Sequence, residues 1–528
     1  MNKGIKRILA FTTAVSLILC SCSKNEKEQE EAKRVMVDAK DITMADTYNF
    51  EKINSGDVQS VDFSVTVEAE ECQAESGVTF KTSVQGFSGE GYVDISNNPD
   101  FELTVDIPAS QYYKITVKHT AGSHKENALV FNGAKAFDII SEQGDWQTLT
   151  VDGVYLEKGE NKITLGEGWS WFSLDSITIE NGEAVLTDDM YLSVTDTLCN
   201  PYANLKTQNI YQYLKAVYGK RVLTGQCTDY GHNTETDAIF KQYGVYPAVR
   251  TFDFIFDSMS SCGGNPKAED VDLAIQWSND GGIVVYDWHW NAPYKESSFY
   301  TDSTSFRITD CKTDIDIATI SLDEIKALCD EGKIKMDTVK LIEDIDNISS
   351  LMQRMEDADV TVLWRPLHEA SGGWFWWGAT GAEDYKWLWK LLYHRMTDYH
   401  QLDNLIWVWN AQSAEWYVGD EYCDIAALDI YNPAHDYTVS PTAFKDLYEV
   451  TGGKKLISMS ECATMPDPDL VVRDNAYWLW FAVWNWDYIV KGGLPILSDA
   501  YTEFYMMEKV YTSDIYITRD ELPDFSKK

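Results

Sequence analysis

An α/β fold, a (β/α)8 TIM barrel preceded by an all-β sandwich module, is the architecture this sequence predicts, and three observations carry it. After about Cys199, eight short apolar runs recur with helix-spaced segments between them. Across residues 61–181, apolar and polar residues alternate at period two, the pattern of half-buried strands. The chain has 528 residues, more than one compact core holds, so two or three units are expected.

The first element in chain order is a leader. Lys3, Lys6 and Arg7 precede an apolar run over residues 8–19 that is too short to span a bilayer comfortably. It ends in Leu19-Cys20-Ser21-Cys22, which resembles a bacterial lipoprotein box with Ser21 as the small residue before the modified cysteine. Residues 1–22 are therefore expected to direct export. Cys22 would carry the lipid and place the protein in the outer membrane, as a lipoprotein on the cell surface. Cys20 is the poorer candidate because bulky Leu19 precedes it. Residues 23–60 open with an almost wholly polar stretch and are expected to form a solvated polar tether.

Residues 61–181 read as the sandwich. Phe101, Leu103, Val105 and Ile107 fall on one strand face, as do Tyr113, Ile115 and Val117, and Gly89, Gly91, Gly133 and Gly159 punctuate the turns. Residues 198–522 read as the barrel. Ile210, Leu214, Val217 and Tyr218 have helical spacing, and Gly219 closes that helix. Strands are expected at 222–225, 246–249, 283–286, 360–364, 405–409, 425–430, 456–459 and 481–484. Another helix carries Tyr385, Leu388, Trp389, Leu392 and Met396 on one stripe, and residues 302–348 read as a helical excursion between the third and fourth strands. Eight β/α units in this length suit a (β/α)8 barrel.

Composition narrows the function. With 84 acidic against 44 basic residues the formal charge is −40, which repels phosphate backbones and excludes nucleic acid as a partner. Nineteen Trp crowd into runs such as Trp374-Phe375-Trp376-Trp377 and Trp484-Asn485-Trp486. Part of this is core, and part suits stacking on flat sugar rings. The cysteines after Cys22 lack metal-type spacing, so neither a zinc site nor a disulfide framework is indicated.

Reactive groups of such a barrel stand at the C-terminal ends of its strands. The polar residues following the apolar runs are Asp253, Asp287, His289, Arg365, His368, Glu369, Asn410, Asp429, Tyr431, Glu461, Asn485 and Trp486. Glu369 follows the fourth run and Glu461 the seventh, so the two carboxyls face each other across the ring. A retaining glycosidase needs two carboxyls about 5 to 5.5 Å apart, one attacking the anomeric carbon and one protonating the leaving oxygen. Arg365 is a fixed cation able to keep a carboxylate ionised.

The stretch Trp364-Arg365-Pro366-Leu367-His368-Glu369-Ala370-Ser371-Gly372-Gly373-Trp374-Phe375-Trp376-Trp377-Gly378 resembles the acid/base loop of glycoside hydrolase family 26, a family best known for β-mannanases. Asp287-Trp288-His289-Trp290-Asn291-Ala292-Pro293 and Asp429-Ile430-Tyr431 are similar to its motifs on the third and sixth strands, and Ser460-Glu461-Cys462 resembles the nucleophile position more weakly. The resemblance implies Glu369 as acid/base and Glu461 as nucleophile, with His368, His289, Trp374, Tyr431, Trp484, Arg365 and Asp429 binding substrate. It implies endo-action on β-1,4-mannan or galacto/glucomannan and no cofactor for catalysis. A β-1,3-1,4-glucanase, a β-1,3-xylanase or a non-catalytic surface glycan-binding lipoprotein remain alternatives, because fold and carboxyl pair do not specify the sugar. Val67-Glu68-Ala69-Glu70, Phe87-Ser88-Gly89-Glu90-Gly91-Tyr92-Val93, Asn132-Gly133 and Ser173-Leu174-Asp175-Ser176-Ile177 resemble carbohydrate-binding modules of families 35 and 6. That likeness implies a structural calcium held by Glu68, Glu70 and Asp175. Trp169 and Trp171 are the aromatic candidates for sugar contact.

Overall fold

The computed structural model describes residues 34–54, 60–166, 168–263, 265–294 and 296–525; Cys20 and Cys22 lie outside them. The front module is built from β1 (Ser64–Glu68), β2 (Val78–Lys81), β3 (Tyr92–Ile95), β4 (Glu102–Ile107), β5 (Gln111–Thr120), β6 (Lys125–Phe131), β7 (Ala134–Ser141), β8 (Gln147–Leu156), β9 (Gly159–Leu165) and β10 (Phe172–Asn181). These form two antiparallel sheets, one ordered β2-β3-β10-β5-β8 with β1 beside β10, the other β4-β9-β6-β7. The alternation in sequence explains the packing. In β5, Tyr113, Ile115 and Val117 are buried, while Tyr112, Lys114, Thr116 and Lys118 between them stay partly solvated. The buried face meets Leu103, Val105 and Ile107 of β4 and Ile163 of β9 in one apolar core.

The barrel strands are β11 (Val222–Cys227), β12 (Val249–Asp253), β13 (Ile283–Asp287), β14 (Val362–Arg365), β15 (Leu405–Trp409), β16 (Ile425–Ile430), β17 (Leu456–Cys462) and β18 (Trp480–Val483). Each pairs in parallel with the next, and β11 pairs with both β12 and β18, which closes the ring. Every residue of β13, β14, β15, β17 and β18 is buried, as expected where helices cover a parallel sheet. The excursion before β14 is helical as read, with helices Ile308–Cys311, Leu322–Asp330 and Met336–Asp357. The two units touch where the Tyr112 hydroxyl donates to the Arg473 carbonyl at 2.7 Å and to Asp474 Oδ1 at 2.9 Å.

Two expectations are corrected. The run at 246–249 predicts the second strand, but the strand is β12, which begins only at Val249. Pro247 has no N–H to give a ladder. Arg250, whose charge interrupts the apolar pattern, is buried inside β12 because it donates to Thr228 Oγ1 (3.0 Å), Asn233 Oδ1 (2.6 Å) and the His232 carbonyl (2.6 Å). The second correction concerns the tether. Its residues 34–54, none of them buried and more than half exposed, are nevertheless anchored on the barrel at a few points. Arg34 Nε donates to both oxygens of Asp403 at 3.0 Å and its guanidinium lies 4.4 Å from the Tyr202 ring. Tyr48 and Phe50 pack edge-on against Tyr213 at 5.2 and 5.7 Å, and the Tyr477 hydroxyl donates to the Ile53 carbonyl. A few aromatic anchors suffice for a polar segment when the receiving surface is already folded. Asp403 precedes β15, so this strap runs along the barrel end opposite the mouth.

Candidate active site

Four strand ends converge on one guanidinium. Arg365 closes β14 and has no exposed side-chain surface. It grips Asp287, the last residue of β13, through Nε at 2.7 Å and Nη2 at 2.5 Å. Nη1 donates to Asp429 of β16 at 3.1 and 3.2 Å, and Nη2 also reaches Glu461 of β17. Burial disfavours charge here, but the three carboxylates hold Arg365 well above its ordinary range. Burial lifts the Asp287 carboxyl to about 6 even against the pull of Arg365. A bulge aims Glu461 inward. Leu428 pairs with Met459 and Asp429 with Glu461, which leaves Ser460 as the extra residue of β17. Ser460 Oγ then donates to Asp429 at 2.7 Å, and Asn410 Nδ2 adds a bond at 3.0 Å.

Glu369 stands across the mouth from Glu461. Its backbone lies in the left-handed region at φ 52°, two residues after Leu367 at φ 55°. Such a conformation is costly for a side chain-bearing residue and concentrates at functional sites. The Asn410 carbonyl holds it by accepting from the Glu369 N–H at 2.7 Å. Trp374 Nε1 donates to the Glu369 carboxyl at 3.1 Å. Gly372 is what lets that indole lie there, since a Cβ at this position would sit 1.9 Å from the ring. Oxygens of Glu369, Asp429 and Glu461 all come within 4.8 Å of one another. Burial, and then the charge of Asp429, pushes the Glu369 carboxyl up to about 7. Burial, Asp429, Asp287 and Glu369 also push Glu461 upward, with Arg365 opposing. The donors decide which of the two keeps a proton. Glu461 accepts from Arg365 and from the Tyr431 hydroxyl at 2.6 Å, and both favour the carboxylate, whereas Glu369 has one neutral indole N–H.

His289 and His368 lie beside this pair. His289 Nδ1 is 2.5 Å from Asp253 Oδ2 and its backbone N–H donates to Asp253 Oδ1 at 2.9 Å. Burial opposes charge on the ring, but Asp253, Glu461 and Asp287 outweigh it and raise His289 to about 9. Its Nε2 is 3.2 Å from His368 Nε2. Burial, His289 and Arg365 keep His368 neutral, well below its ordinary value. A cavity of about 260 Å³ opens next to His289, walled by Tyr230, Phe256, Tyr300, Trp484 and Trp486. Another of about 520 Å³ lies at the opposite end of the barrel, between Lys206, Asp280 and Arg519, away from the carboxyl pair.

The predicted residues thus divide into two sets. Glu369, Glu461, Tyr431, Trp374, His289 and Trp484 stand around the mouth. Arg365, Asp429 and His368 have their side chains sealed among other protein groups just beneath it. All the donors of Arg365 and the oxygens of Asp429 serve other side chains, and His368 is 1% exposed. They position the carboxyls and the loop from beneath. Nothing in the sequence marks Ser460 as a support of Asp429, because a serine inside an apolar run gives no periodic signal.

The acidic residues of the module meet without converging. Ser88 Oγ donates to Glu68 at 2.8 Å and to Asp175 at 3.0 Å, while Glu70 accepts from the Glu90 and Gly91 N–H groups at 2.7 and 3.1 Å. Asp175 is fully buried and paired with Lys118 at 2.7 Å. The one group of three whose oxygens lie within 4.8 Å, among the described residues, is Glu369 with Asp429 and Glu461. Of the expected triad, Asp175 is the member whose charge is met by a lysine.

A closed parallel barrel with two carboxyls facing each other across its mouth, flanked by aromatic walls, defines a glycoside hydrolase of the TIM-barrel class. Residues 199–509 match the family model of Glycosyl hydrolase family 26, and residues 65–182 that of Carbohydrate binding module (family 35). The chain belongs to glycosyl hydrolase family 26. It is 34% identical over 472 residues to a mannan endo-1,4-beta-mannosidase of Thermothelomyces thermophilus, covering 87% of this chain and 90% of the relative. To mannan endo-1,4-beta-mannosidase B of Piromyces sp it is 34% identical, over 88% of this chain and 78% of the relative. The crystal structure of a Podospora anserina GH26-CBM35 beta-(1,4)-mannanase superposes with a TM-score of 0.60 at 32% identity, over 88% of this chain and 99% of the other. The family and the sandwich-then-barrel fold expected from the sequence are both borne out.

Proposed function

We propose that this chain cleaves β-1,4-mannan internally by double displacement, with Glu461 as nucleophile and Glu369 as acid/base. The spacing of the two carboxyls carries the mechanism. Their facing oxygens lie within 4.8 Å of each other, a spacing nearer the roughly 5 to 5.5 Å of retaining enzymes than the roughly 6.5 to 9.5 Å that leaves room for a water in inverting ones. The substrate follows from the relatives, which bear the name mannan endo-1,4-beta-mannosidase. A Glu461 oxygen attacks the anomeric carbon while the Glu369 proton passes to the departing glycosidic oxygen, and the bond between them breaks. Water then enters, gives its proton to Glu369, and displaces Glu461 from the sugar. Incubation with mannan, galactomannan, glucomannan, lichenan and xylan, with separation of products, tests it. Mixed manno-oligosaccharides are expected, and cleavage of lichenan or xylan alone would overturn the substrate.

The donor must be protonated, so activity should fall as pH rises through about 7, where burial has placed Glu369. A profile of kcat/KM from about pH 5 to 9 measures this, and a flat line across it would contradict the acid role.

The leader supports a cellular reading as well. We propose that Cys22 carries a lipid that holds the protein at the outer membrane, because the run before it ends in a lipoprotein-type box. Cys22→Ala should move the protein from the membrane to the soluble fraction, and Cys20→Ala should not. In the module, Glu70 Oε2 is buried without a hydrogen-bond partner, and burial, Glu70 and Asp175 raise Glu68 against the Ser88 bond. Such a pair fits a hard cation better than solvent. We infer a structural calcium held by Glu68 and Glu70. Chelator should lower the melting temperature of the full chain, since an ion bound only to the native state stabilises by mass action.

A further inference from the structure

A carboxylate that this reaction does not use ties two loops of the barrel mouth together. Glu235 lies in the first turn of the helix Thr234–Tyr243 and has no exposed surface. One oxygen accepts from the Asp229 N–H at 3.4 Å, in the loop after β11. The other accepts from the Trp486 N–H at 3.4 Å, in the loop after β18. Arg250, close enough to feel its charge, directs its own donors at Thr228, Asn233 and His232. A buried charge without a bonded cation is costly, and a helix N-terminus offsets only part of that. Both partners of Glu235 are donors. Only a carboxylate offers each of them an acceptor; the Gln amide would turn hydrogens toward one of the two N–H groups.

What the clamp holds is a wall. Trp486 sits in the left-handed region at φ 56°, with half of its surface exposed. With Tyr230, Phe256, Tyr300 and Trp484 it lines the cavity beside His289. We propose that Glu235 is a positioning residue for substrate, holding Trp486 where a sugar unit away from the cleavage point stacks on it. The inference rests on the reading of the barrel as a glycan hydrolase and names a determinant of its affinity for longer chains.

Kinetics of full-chain Glu235→Gln, on the glycan that the wild type cleaves fastest, test it. KM should rise about tenfold, the worth of one aromatic contact, while kcat falls less than about threefold. Trp486→Ala should raise KM similarly, and the double variant should be no worse than Trp486→Ala alone. Unchanged KM in folded Glu235→Gln, or effects that multiply in the double variant, would overturn the proposal. Should Glu235→Gln fail to fold, Glu235→Asp, too short to reach both loops, is read against the same outcomes. Amide hydrogen exchange gives a readout apart from activity. The Asp229 and Trp486 amides should exchange faster in the variant, and unchanged exchange overturns the clamp. A wild type that cleaves no glycan would sink the hydrolase reading and leave the exchange result to decide the clamp.

Discussion

Replacing Glu461 with Ala is expected to lower kcat by about four to six orders of magnitude, the scale on which covalent catalysts are lost. The side chain is buried at the end of β17 and fixed by Arg365 and Tyr431, so no other carboxyl can take its place. Asp429 is near enough, but its oxygens are committed to Arg365, Asn410 and Ser460. Azide should restore part of the rate to Glu461→Ala by entering the vacated space, which yields an α-configured glycosyl azide. The Glu369→Ala variant should instead form its glycosyl-enzyme from activated substrates, and azide should then give the β-azide. Proton NMR of the two products reads the assignment directly. Exchanged anomers would reverse the two roles, and residual activity in Glu461→Ala above about 1% of wild type would remove the nucleophile assignment altogether.

Arg365→Met should be nearly as damaging, and for a different reason. The guanidinium is the only cation bonded to Asp287, Asp429 and Glu461 among the described residues. Removing one partner of a buried ion pair costs about 3 to 5 kcal/mol, because an uncompensated charge stays inside. The remaining carboxyls escape by taking up protons, which also disables Glu461 as a nucleophile. Their folded-state pKa values then lie above the unfolded ones, so the native state binds more protons than the unfolded state and stability falls as pH rises. Urea denaturation should show Arg365→Met furthest below wild type at about pH 8 and closer to it at about pH 5. A constant gap across that range would show that Arg365 does not compensate these charges. Arg365→Lys should recover some stability and little activity, since one ammonium cannot grip Asp287 with two donors and still span Asp429 and Glu461.

Much of this protein was legible before any coordinates. Alternation at period two marked the sandwich because its sheets bury one face. Continuous apolar runs marked the barrel because its strands bury both. Glu369 and Glu461 could be singled out because a barrel delivers the residues after its strands to one mouth, whatever their separation in sequence. Local patterns failed where burial depends on a partner supplied from elsewhere. Arg250 broke the pattern of β12, yet its donors are met inside the protein, and residues 34–54 look soluble until Tyr213 and Asp403 are there to receive them.

Roles within the site show the same division. Arg365 lies 78, 64 and 96 positions from Asp287, Asp429 and Glu461, so nothing local distinguishes a cation facing sugar from one sealed under the carboxyls. The same holds for His368, adjacent to Glu369 in sequence but turned toward His289, and for Glu235, which has no motif at all. Composition and periodicity report how much apolar surface a segment must hide and which covalent neighbours it has. They determined the two folds and the carboxyl pair of this protein. Charge pairing acts across strand ends that the chain visits many residues apart, and only the closed ring decided which polar groups line the mouth and which hold others in place.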